Sequence, residues 1–464
     1  MPNWYADLPD IKPKYLAISQ LITSLIQEDR LLPSQRLPAE RELAKLLKVD
    51  RSTVSRAFQE LTANGLLVKK GGSGTFVAPV PTINTLPDKI NWGQYLRNTT
   101  TSHSLIQRKL TQARALNPHL IDGAANELPM NLIPQLGDLQ LNWQDFLLAQ
   151  RQEQDAGYLP LIQTLERHHT QRHQFRTDRQ TLLITGGAQQ ALLLILSSLL
   201  KIGDAVAFTK PSYFATSAVF KTLGIRPFTI PLTPTGLNLA VLEKLIRQHR
   251  IKLLLLNPTF QNPTGLLLSL EQRQRLIKLC QKYQVAIVED DVFGWLSTRQ
   301  DALPTLKALA PQNVIYISSL SKLLGSSTRL GWIVAPDAIG QRLLQVQKRL
   351  DIVPSMLAQV MANLALTTAT FDPGIAQLTA ELAQRRQATV AIFRELRPDW
   401  QFITPQGGFY LWVTQNNPAI FDHLLERQIL VKPGTLYGAP KTAFRFNFAG
   451  IDLDQQRQLR ELLQ

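Results

Sequence analysis

The sequence predicts two folded parts, a small N-terminal α+β unit and a larger C-terminal α/β domain with a mainly parallel sheet. Residues 11–78 combine three apolar stripes at helical spacing with a short hairpin pattern. Beyond residue 115, short apolar runs alternate with amphipathic helical stretches, as expected for parallel strands covered by helices. The length of 464 residues also exceeds what one hydrophobic core usually organises.

The prediction of the N-terminal unit rests on its third apolar stripe and on the hairpin pattern that follows it. The apolar positions of this stripe recur at i, i+3, i+4 and i+7: Val54, Ala57, Phe58 and Leu61. Asp50 or Ser52 is placed to cap the start of the predicted helix, and Asn64 with Gly65 ends it. Residues 66–77 then read as two short strands around a glycine turn. Three helices followed by a hairpin are the plan of a winged helix-turn-helix, which binds DNA.

A linker is predicted between the two parts. Prolines at 79, 81 and 87 and the Thr-Thr-Thr-Ser run at 99–102 interrupt the regular patterns. The chain therefore divides into a winged-helix unit at 1–78, a linker at 79–115 and a larger domain at 116–464.

The larger domain carries short apolar runs that predict strands at 182–185, 205–209, 252–256, 286–288, 314–317 and 333–335. Ligands of open α/β sheets bind beyond the carboxyl ends of the strands, so the residues after each run are candidates for chemistry. Glycines 186 and 187 open a helix after the first run, where free backbone N–H groups favour an anion such as phosphate. The next four runs are followed by Tyr213, by Asn257 and Asn262, by Asp290, and by Lys322.

Composition excludes several classes of protein. With 44% hydrophobic and 18% charged residues the chain is globular rather than disordered. No apolar run reaches about 18 residues, and the first residues lack a basic region followed by an apolar one, so we expect a soluble, cytoplasmic protein without a membrane partner. The single cysteine, Cys280, excludes an intramolecular disulfide and a multi-cysteine metal site, and we expect it to be a packed helix residue.

The net charge of +15 is compatible with nucleic acid as a partner, but it does not locate the DNA-binding part. Residues 1–80 hold 11 Lys and Arg against 8 Asp and Glu, so most of the excess lies further along the chain. That excess fits either attraction of anionic ligands or an ordinary solvated surface.

The order and spacing of the motifs after residue 120 resemble fold-type I pyridoxal-phosphate enzymes of the class I/II aminotransferase family. Residues 37–44, LPAERELA, and 51–58, RSTVSRAF, resemble the GntR-type winged helix. The fusion of the two is similar to MocR/GabR-type transcription regulators. The resemblance implies a fold-type I α/β domain with a small C-terminal subdomain, which binds the effector and mediates dimerisation. It also implies pyridoxal 5'-phosphate as cofactor, double-stranded operator DNA as partner and an amino acid or amine as effector.

The resemblance implies a role for each residue of the cofactor site. Lys322 matches the lysine that forms the internal aldimine, Asp290 the carboxylate paired with the pyridinium nitrogen, and Asn262 the amide donor to the ring oxygen. Tyr213 matches the aromatic that stacks on the cofactor ring. The phosphate contacts are Ala188, Gln189, Ser319 and Arg329, and Arg445 matches the arginine that grips a carboxylate. For single residues a structural role stays open: a helix cap for Asp290, a core aromatic for Tyr213 and a salt bridge for Arg445.

A DNA-binding surface is expected on the third helix and on the hairpin, the wing. On the helix, the side chains that face away from the apolar stripe include Ser52, Thr53, Ser55 and Arg56. The resemblance adds Arg41 and Arg51 as groove and phosphate contacts, and Lys69, Lys70 and Gly74 on the wing. The alternative is that these helices mediate only protein contacts.

Three departures from the aminotransferase pattern bear on function. Phe293 stands where the family has a tyrosine that bonds the ring oxygen, Gln152 where it has a tyrosine that reaches the partner subunit's phosphate, and Asn126 where it has a glycine. These changes favour a sensor, in which an amino compound replaces Lys322 as the amine bound to the cofactor, rather than an enzyme with catalytic turnover. An active aminotransferase with a DNA-binding domain, and a DNA-binding protein with a cofactor-free domain, remain the alternatives.

Overall fold

The computed structural model describes residues 4, 8–9, 12–27, 30–78, 102–117, 119–173, 175, 182–233, 236–297 and 302–464. They belong to two compact units, Met1–Leu116 and Asn117–Gln464. Within these described ranges, every helix is too short or too polar to cross a lipid bilayer.

The first unit has the order of elements that the sequence predicts. It comprises α1 (Lys14–Gln27), α2 (Glu40–Leu47), α3 (Arg51–Ala63), β1 (Leu67–Lys70), β2 (Gly74–Val77) and α4 (Ser102–Leu116). The apolar stripe of α3 is fully buried in a core shared with α1 and α2. β1 and β2 pair antiparallel as the wing. Asp50 lies at the N-cap of α3, but its side chain makes no capping hydrogen bond, so the helix start lacks the expected side-chain cap.

Helix α4 occupies the last part of the predicted linker. Its segment contains no glycine or proline, and Ile106, Leu110 and Ala113 recur at i, i+4 and i+7, which favours a helix. Leu105 packs against the winged-helix core, and Leu110 is buried. The proline-rich part of the predicted linker lies outside the described residues.

The second unit alternates strands and helices along most of its length. Its strands are β3 (Ile121–Asp122), β4 (Glu153–Gln154), β5 (Gly157–Tyr158), β6 (Leu182–Thr185), β7 (Ala205–Lys210), β8 (Arg226–Thr233), β9 (Gly236–Leu237), β10 (Ile251–Leu256), β11 (Ala286–Asp290), β12 (Val314–Ser319), β13 (Gly331–Val334), β14 (Tyr410–Thr414), β15 (Ile429–Leu430), β16 (Lys432–Pro433) and β17 (Ala443–Asn447). Its helices are α5 (Trp143–Gln150), α6 (Leu159–His168), α7 (Ala188–Leu199), α8 (Val219–Thr222), α9 (Leu239–His249), α10 (Leu270–Lys282), α11 (Leu306–Leu309), α12 (Asp337–Arg349), α13 (Met356–Thr367), α14 (Phe371–Leu396), α15 (Ile420–Glu426) and α16 (Leu453–Leu463).

An eight-stranded sheet organises this unit, in the order β6-β13-β12-β11-β10-β7-β8-β9. The strands β12, β11, β10, β7 and β8 pair parallel, whereas β13 runs antiparallel to both of its neighbours. The mainly parallel sheet that the apolar runs predict is therefore confirmed. A separate three-stranded sheet, β14-β17-β16, forms the small C-terminal subdomain.

Both faces of the large sheet are covered, which explains why its strands read as continuous apolar runs. In β10, Leu253 and Leu255 pack against the layer that contains α7 and α12, while Leu254 and Leu256 pack against α9 and α10. Cys280 lies buried in this second layer on α10, as expected, and burial raises the pKa of its thiol to about 12.

A buried histidine, His169, lies against this sheet and makes stability sensitive to pH. The indole N–H of Trp332 donates to His169 Nε2 at 2.8 Å, and the imidazole stacks on Phe175. Because Nε2 accepts this bond, the folded chain requires the neutral ring. Burial lowers the pKa of His169 well below its usual value, and the neighbouring His173 and His168 lower it further.

We expect the free energy of unfolding to fall as the pH is lowered from 7 to 5. In the unfolded chain His169 takes up a proton near pH 6.5, whereas in the folded chain its lowered pKa keeps the ring neutral. Protonation therefore favours unfolding throughout this window. At pH 5 this histidine contributes a loss of about 2 kcal/mol. Denaturant titrations at both pH values check this, since His169→Gln keeps a hydrogen-bond acceptor but removes this titration and should reduce the pH dependence by about the same amount; the buried His173, whose pKa burial lowers to about 3, keeps its own contribution. His119→Gln, at an exposed position, serves as control; equal pH dependence in all three proteins would contradict the assignment.

Candidate functional site

A cavity of about 210 Å³ lies at the carboxyl edge of the large sheet. All eight residues predicted to bind the cofactor line it: Lys322, Asp290, Asn262, Tyr213, Ala188, Gln189, Ser319 and Arg329. They come from the last residues of β11 and β12, from the segments that follow β6, β7, β10 and β12, and from the turn before β13. The parallel strands bring these ends to one edge, so predicted residues as far apart in sequence as Ala188 and Arg329 line a single cavity.

Lys322 ends a short 3-10 turn, Leu320–Lys322, that directly follows β12. Its Nζ donates to the backbone oxygen of Asn126 at 2.7 Å. The same nitrogen lies 5.9 Å from the ring centroid of Phe293 and 6.0 Å from that of Phe409. The only amine that lines the cavity is thus held at its wall by one displaceable hydrogen bond, as far as the described residues show.

Asp290 ends β11 and is 4% exposed. Burial raises the pKa of its carboxyl, while hydrogen bonds from Tyr213 and Asn257 and the charge of Lys322 act in the opposite direction. A desolvated carboxyl of this kind is stabilised by a cationic partner, which is the role that a protonated ring nitrogen fills. The Tyr213 hydroxyl donates to this carboxylate, a contact that the sequence analysis did not predict.

Asn262 is oriented by its hydrogen bond with Arg445. The arginine Nη1 donates to Asn262 Oδ1 at 3.3 Å, so the amide oxygen is engaged and the NH₂ group is left as the donor. This is the orientation that the predicted contact with a ring oxygen requires. Asn257, whose role the sequence left undefined, also lines the cavity and donates to the backbone oxygen of Asp290 at 3.1 Å.

The predicted phosphate contacts surround the start of α7. Gly187 caps this helix with φ +99°, a conformation that side chains disfavour, and its N-terminal N–H groups border the cavity. Gly331 lets the start of β13 lie close to the start of α7, because a Cβ at this position would lie 2.8 Å from the backbone of Gly187. Ser319 donates its hydroxyl to the backbone oxygen of Leu330 at 2.7 Å, which ties β12 to the turn that carries Arg329.

The chemistry of these groups fits pyridoxal 5'-phosphate. Arg329 and the start of α7 suit its phosphate, Asp290 suits its ring nitrogen, and the amide of Asn262 suits its ring oxygen. Lys322 supplies a primary amine for its aldehyde carbon.

The structure places all three residues that depart from the aminotransferase pattern. Phe293 is 1% exposed and packs against the rings of Phe409 and Tyr410 at 5.3 and 5.6 Å, so this position lacks a phenol. Gln152 is exposed on the turn between α5 and β4. The third departure, Asn126, accepts from Lys322 Nζ through its backbone oxygen, and its side-chain oxygen accepts from Arg445 Nη2 at 2.9 Å and from Lys432 Nζ at 2.7 Å.

Arg445 on β17 is 1% exposed, and its guanidinium lies 3.7 Å above the ring of Tyr410. Its Nη2 donates to the backbone oxygen of Ala125 at 2.8 Å and to Asn126 Oδ1 at 2.9 Å. No ion pair within the described ranges involves Arg445; its hydrogen bonds there go to uncharged oxygens. The contact with Tyr410 was not predicted from the sequence.

The residues predicted to contact DNA lie on the surface of the first unit. Exposed or half-buried on α2, α3 and the wing are Arg41, Arg51, Ser52, Thr53, Ser55, Arg56, Lys69, Lys70 and Gly74. Glu40 lies between two of them, 3.7 Å from Arg51 and 3.0 Å from Lys69. The Arg56 guanidinium stacks 4.1 Å above the Tyr15 ring. The start of α3 and the wing thus present adjacent cations around one carboxylate.

Comparisons with known proteins agree with both units. The model for the gntR family of bacterial regulatory proteins matches residues 14–77, and that for class I and II aminotransferases matches residues 131–463. The HTH-type transcriptional regulator YisV of Bacillus subtilis, itself described as uncharacterized, is 30% identical over 98% of this chain and 96% of its own. The chain belongs to the MocR-type family of transcription regulators. Another relative of this MocR-type chain is the HTH-type transcriptional regulator NorG of Staphylococcus aureus, at 27% identity over 89% of this chain and 95% of its own.

Solved structures agree with the fold of the larger unit of this MocR-type protein. An archaeal alanine:glyoxylate aminotransferase superimposes with a TM-score of 0.73 at 23% identity, covering 81% of this chain and 98% of that enzyme. The α-aminoadipate aminotransferase LysN of Thermus thermophilus, solved with N-(5'-phosphopyridoxyl)-L-leucine, gives a TM-score of 0.67 at 24% identity, covering 81% and 97%. The fold-type I architecture implied by the sequence is therefore confirmed.

Proposed function

We propose that this MocR-type regulator binds pyridoxal 5'-phosphate at Lys322 and senses an amino compound by aldimine exchange at that lysine. The observation that carries the proposal is the cavity, which brings all eight predicted cofactor residues together around the amine of Lys322. In this proposal the regulator acts in the cytoplasm on double-stranded operator DNA.

The cofactor, when bound, supplies an aldehyde carbon that condenses reversibly with primary amines. Lys322 would hold the cofactor through that carbon and would be released as the free amine when an incoming amine takes its place, so the exchange needs no oxidant or reductant. Arg445 binds the carboxylate of the incoming compound, and Asn262 and Asp290 hold the ring in place. An effector that binds one arrangement of the protein more tightly shifts the population towards that arrangement and thereby changes operator affinity.

The rival function is an active aminotransferase that carries a DNA-binding domain. Phe293 argues against it, because the position that holds a phenol in the aminotransferases holds a buried apolar ring here. Rapid conversion of the cofactor to its amine form by an amino acid, and its return with a 2-oxo acid at a useful rate, would favour the rival.

A homodimer follows from the same proposal. A winged helix reads one half-site, and two copies are needed to read an operator with two. The resemblance to fold-type I enzymes also implies that the phosphate site is completed by the partner subunit.

Operator binding of the full chain tests the sensor function. Operator sequences are selected from random double-stranded DNA, and the affinity is then measured with each member of a panel of amino acids and amines. We expect at least one compound to change the wild-type affinity by about 5–150-fold and to leave Lys322→Ala unchanged. An identical response of the variant, or no response of the wild type to any compound, would contradict the proposal.

For the DNA-binding surface, we expect Lys69→Ala to weaken binding to operator DNA and to non-operator DNA to a similar extent. A lysine that contacts phosphate contributes to affinity independently of sequence, so its loss should lower the salt dependence of log Kd by about 0.9. Lys282→Ala is the matched control, because Lys282 forms the same type of exposed ion pair, 2.9 Å from Glu243, in the second unit. Equal salt dependence in both variants would exclude Lys69 from the interface.

A further inference from the structure

A second cavity, of about 940 Å³, lies in the larger unit outside the predicted cofactor site. Its walls come from the middle of α14, from the segments that follow β10 and β11, and from residues 404–408, which lead into β14 of the small sheet. Cavities that bind small molecules measure about 300–1,000 Å³, so this one has room for a ligand. The function proposed above does not use it.

Arg386 on α14 lines this second cavity and is half-buried. Among the described residues it has no hydrogen bond, ion pair or ring contact. Burial lowers the pKa of its guanidinium, and no nearby carboxylate opposes that change in the described part of the chain. The preceding residue differs, because Arg385 donates from Nε to Glu381 Oε1 at 2.8 Å. A partly desolvated cation without a counter-charge is stabilised by an anion that enters the cavity.

The remainder of the wall suits the apolar part of a ligand. Apolar surface comes from all four parts of the wall, including Phe260, Leu296, Leu382 and Pro405. Arg386 is the only cationic side chain among the described lining residues, so the wall matches one negative charge rather than several. A guanidinium binds a carboxylate through two parallel hydrogen bonds. The second cavity therefore fits a monocarboxylate with an apolar body.

Two wall segments of the second cavity also line the predicted cofactor site. After β10, Phe260 borders the second cavity, whereas Asn262, two residues further on, borders the cofactor site. After β11, Phe293 borders the cofactor site and Leu296 the second cavity. A ligand that contacts Phe260 and Leu296 therefore acts on the same short segments that position Asn262 and Phe293.

We propose that the second cavity is a ligand site, which binds a carboxylic acid with an apolar body through Arg386, and that its occupation alters the cofactor site through the two shared segments. A ligand of this site needs no amine, in contrast to the effector that exchanges with Lys322. The binding site stands independently of the function proposed above, whereas its effect on the cofactor rests on that function.

The site is tested with 4-phenylbutyrate, which has no amine, and with 4-phenylbutyramide as its neutral analogue. Binding to the full chain is measured by calorimetry, with and without pyridoxal 5'-phosphate. We expect the wild type to bind the acid at least about tenfold more tightly than the amide, the effect of one charge-assisted hydrogen bond.

Arg386→Met removes the charge but keeps a long unbranched side chain, so it should bind the acid only as tightly as the amide. Loss of a partly desolvated cation should leave the unfolding midpoint unchanged or raise it, which shows that the variant folds. Arg342→Met is the matched control, because Arg342 is exposed on α12 outside the cavity, and it should bind both probes like the wild type.

Ala383→Trp tests the apolar part of the same site. Ala383 is half-buried on α14 and lines the cavity, so a larger side chain there should weaken the acid and the amide alike, by about tenfold or more. Equal affinity of the wild type for the two probes, or acid binding that Arg386→Met leaves unchanged, would overturn the site. The second outcome would place the acid elsewhere, for example at Arg445.

The effect on the cofactor is measured from the imine absorbance band with and without saturating 4-phenylbutyrate. We expect the acid to change the Kd of pyridoxal 5'-phosphate by about fivefold or more in the wild type, and to leave that of Arg386→Met unchanged. An unchanged Kd in the wild type would overturn the coupling.

The two proposals fail in distinguishable ways. A chain that forms the imine band but does not bind the acid overturns the second site and leaves the cofactor assignment. Acid binding that follows the expected order of variants, in a chain that forms no imine band, supports the second site and overturns the cofactor assignment.

Discussion

Lys322→Ala is expected to abolish the imine absorbance band that the wild-type chain develops with pyridoxal 5'-phosphate. The band requires a covalent bond between the cofactor aldehyde and a primary amine, and Lys322 is the only described lysine that lines the cavity. The loss should be complete rather than partial, because no neighbouring described lysine borders the same cavity. Absorbance titration with the cofactor measures it directly.

Lys307 provides a demanding control for this experiment. Burial lowers the pKa of its amine to about 8. A larger fraction of this amine is therefore neutral, and so able to react with an aldehyde, than for an ordinary lysine at neutral pH. Its Nζ donates to the backbone oxygens of Pro311 and Val314, near the start of β12, whereas Lys322 follows the other end of that strand. Lys307→Met should keep the band. A band that persists in Lys322→Ala and disappears in Lys307→Met would reverse the assignment.

Arg273→Ala is expected to lower the free energy of unfolding by about 3–5 kcal/mol. Arg273 is 0% exposed, donates to the backbone oxygens of Leu268, Pro258 and Pro304, and lies 3.9 Å from the buried carboxylate of Glu289. Truncation leaves that carboxylate and these carbonyl groups without their cationic partner. Burial already raises the pKa of Glu289, and loss of the arginine removes the largest opposing influence.

Denaturant unfolding of three variants checks this expectation. Arg275→Ala, two residues along α10, removes only an exposed pair with Glu271 and should change stability by no more than about 0.5 kcal/mol. Adding Glu289→Gln to Arg273→Ala removes the unpaired charge and should recover part of the loss. Equal stability of Arg273→Ala and Arg275→Ala would show that the buried pair contributes little.

Much of the fold was predictable because it depends on local patterns. The stripe of α3 and the apolar runs of the sheet are properties of consecutive residues, and both are present in the structure. The cavity was predictable for a related reason: parallel strands carry the residues after their carboxyl ends to one edge, so Asp290 and Lys322 meet there. The helix within the predicted linker was missed because nearby proline and threonine runs dominated the pattern.

The contacts of Asn126 illustrate what local patterns leave undetermined. From sequence it is one asparagine in place of a glycine, and Lys432 carries no motif at all. In the structure they meet across 306 residues, because the loop after β3 lies against the paired strands β16 and β17. The sequence by itself determined which elements form and which edge of the sheet carries the chemistry. Only the tertiary structure decided that the side-chain oxygen of Asn126 contacts both Lys432 and Arg445, because that depends on packing between segments far apart in the chain.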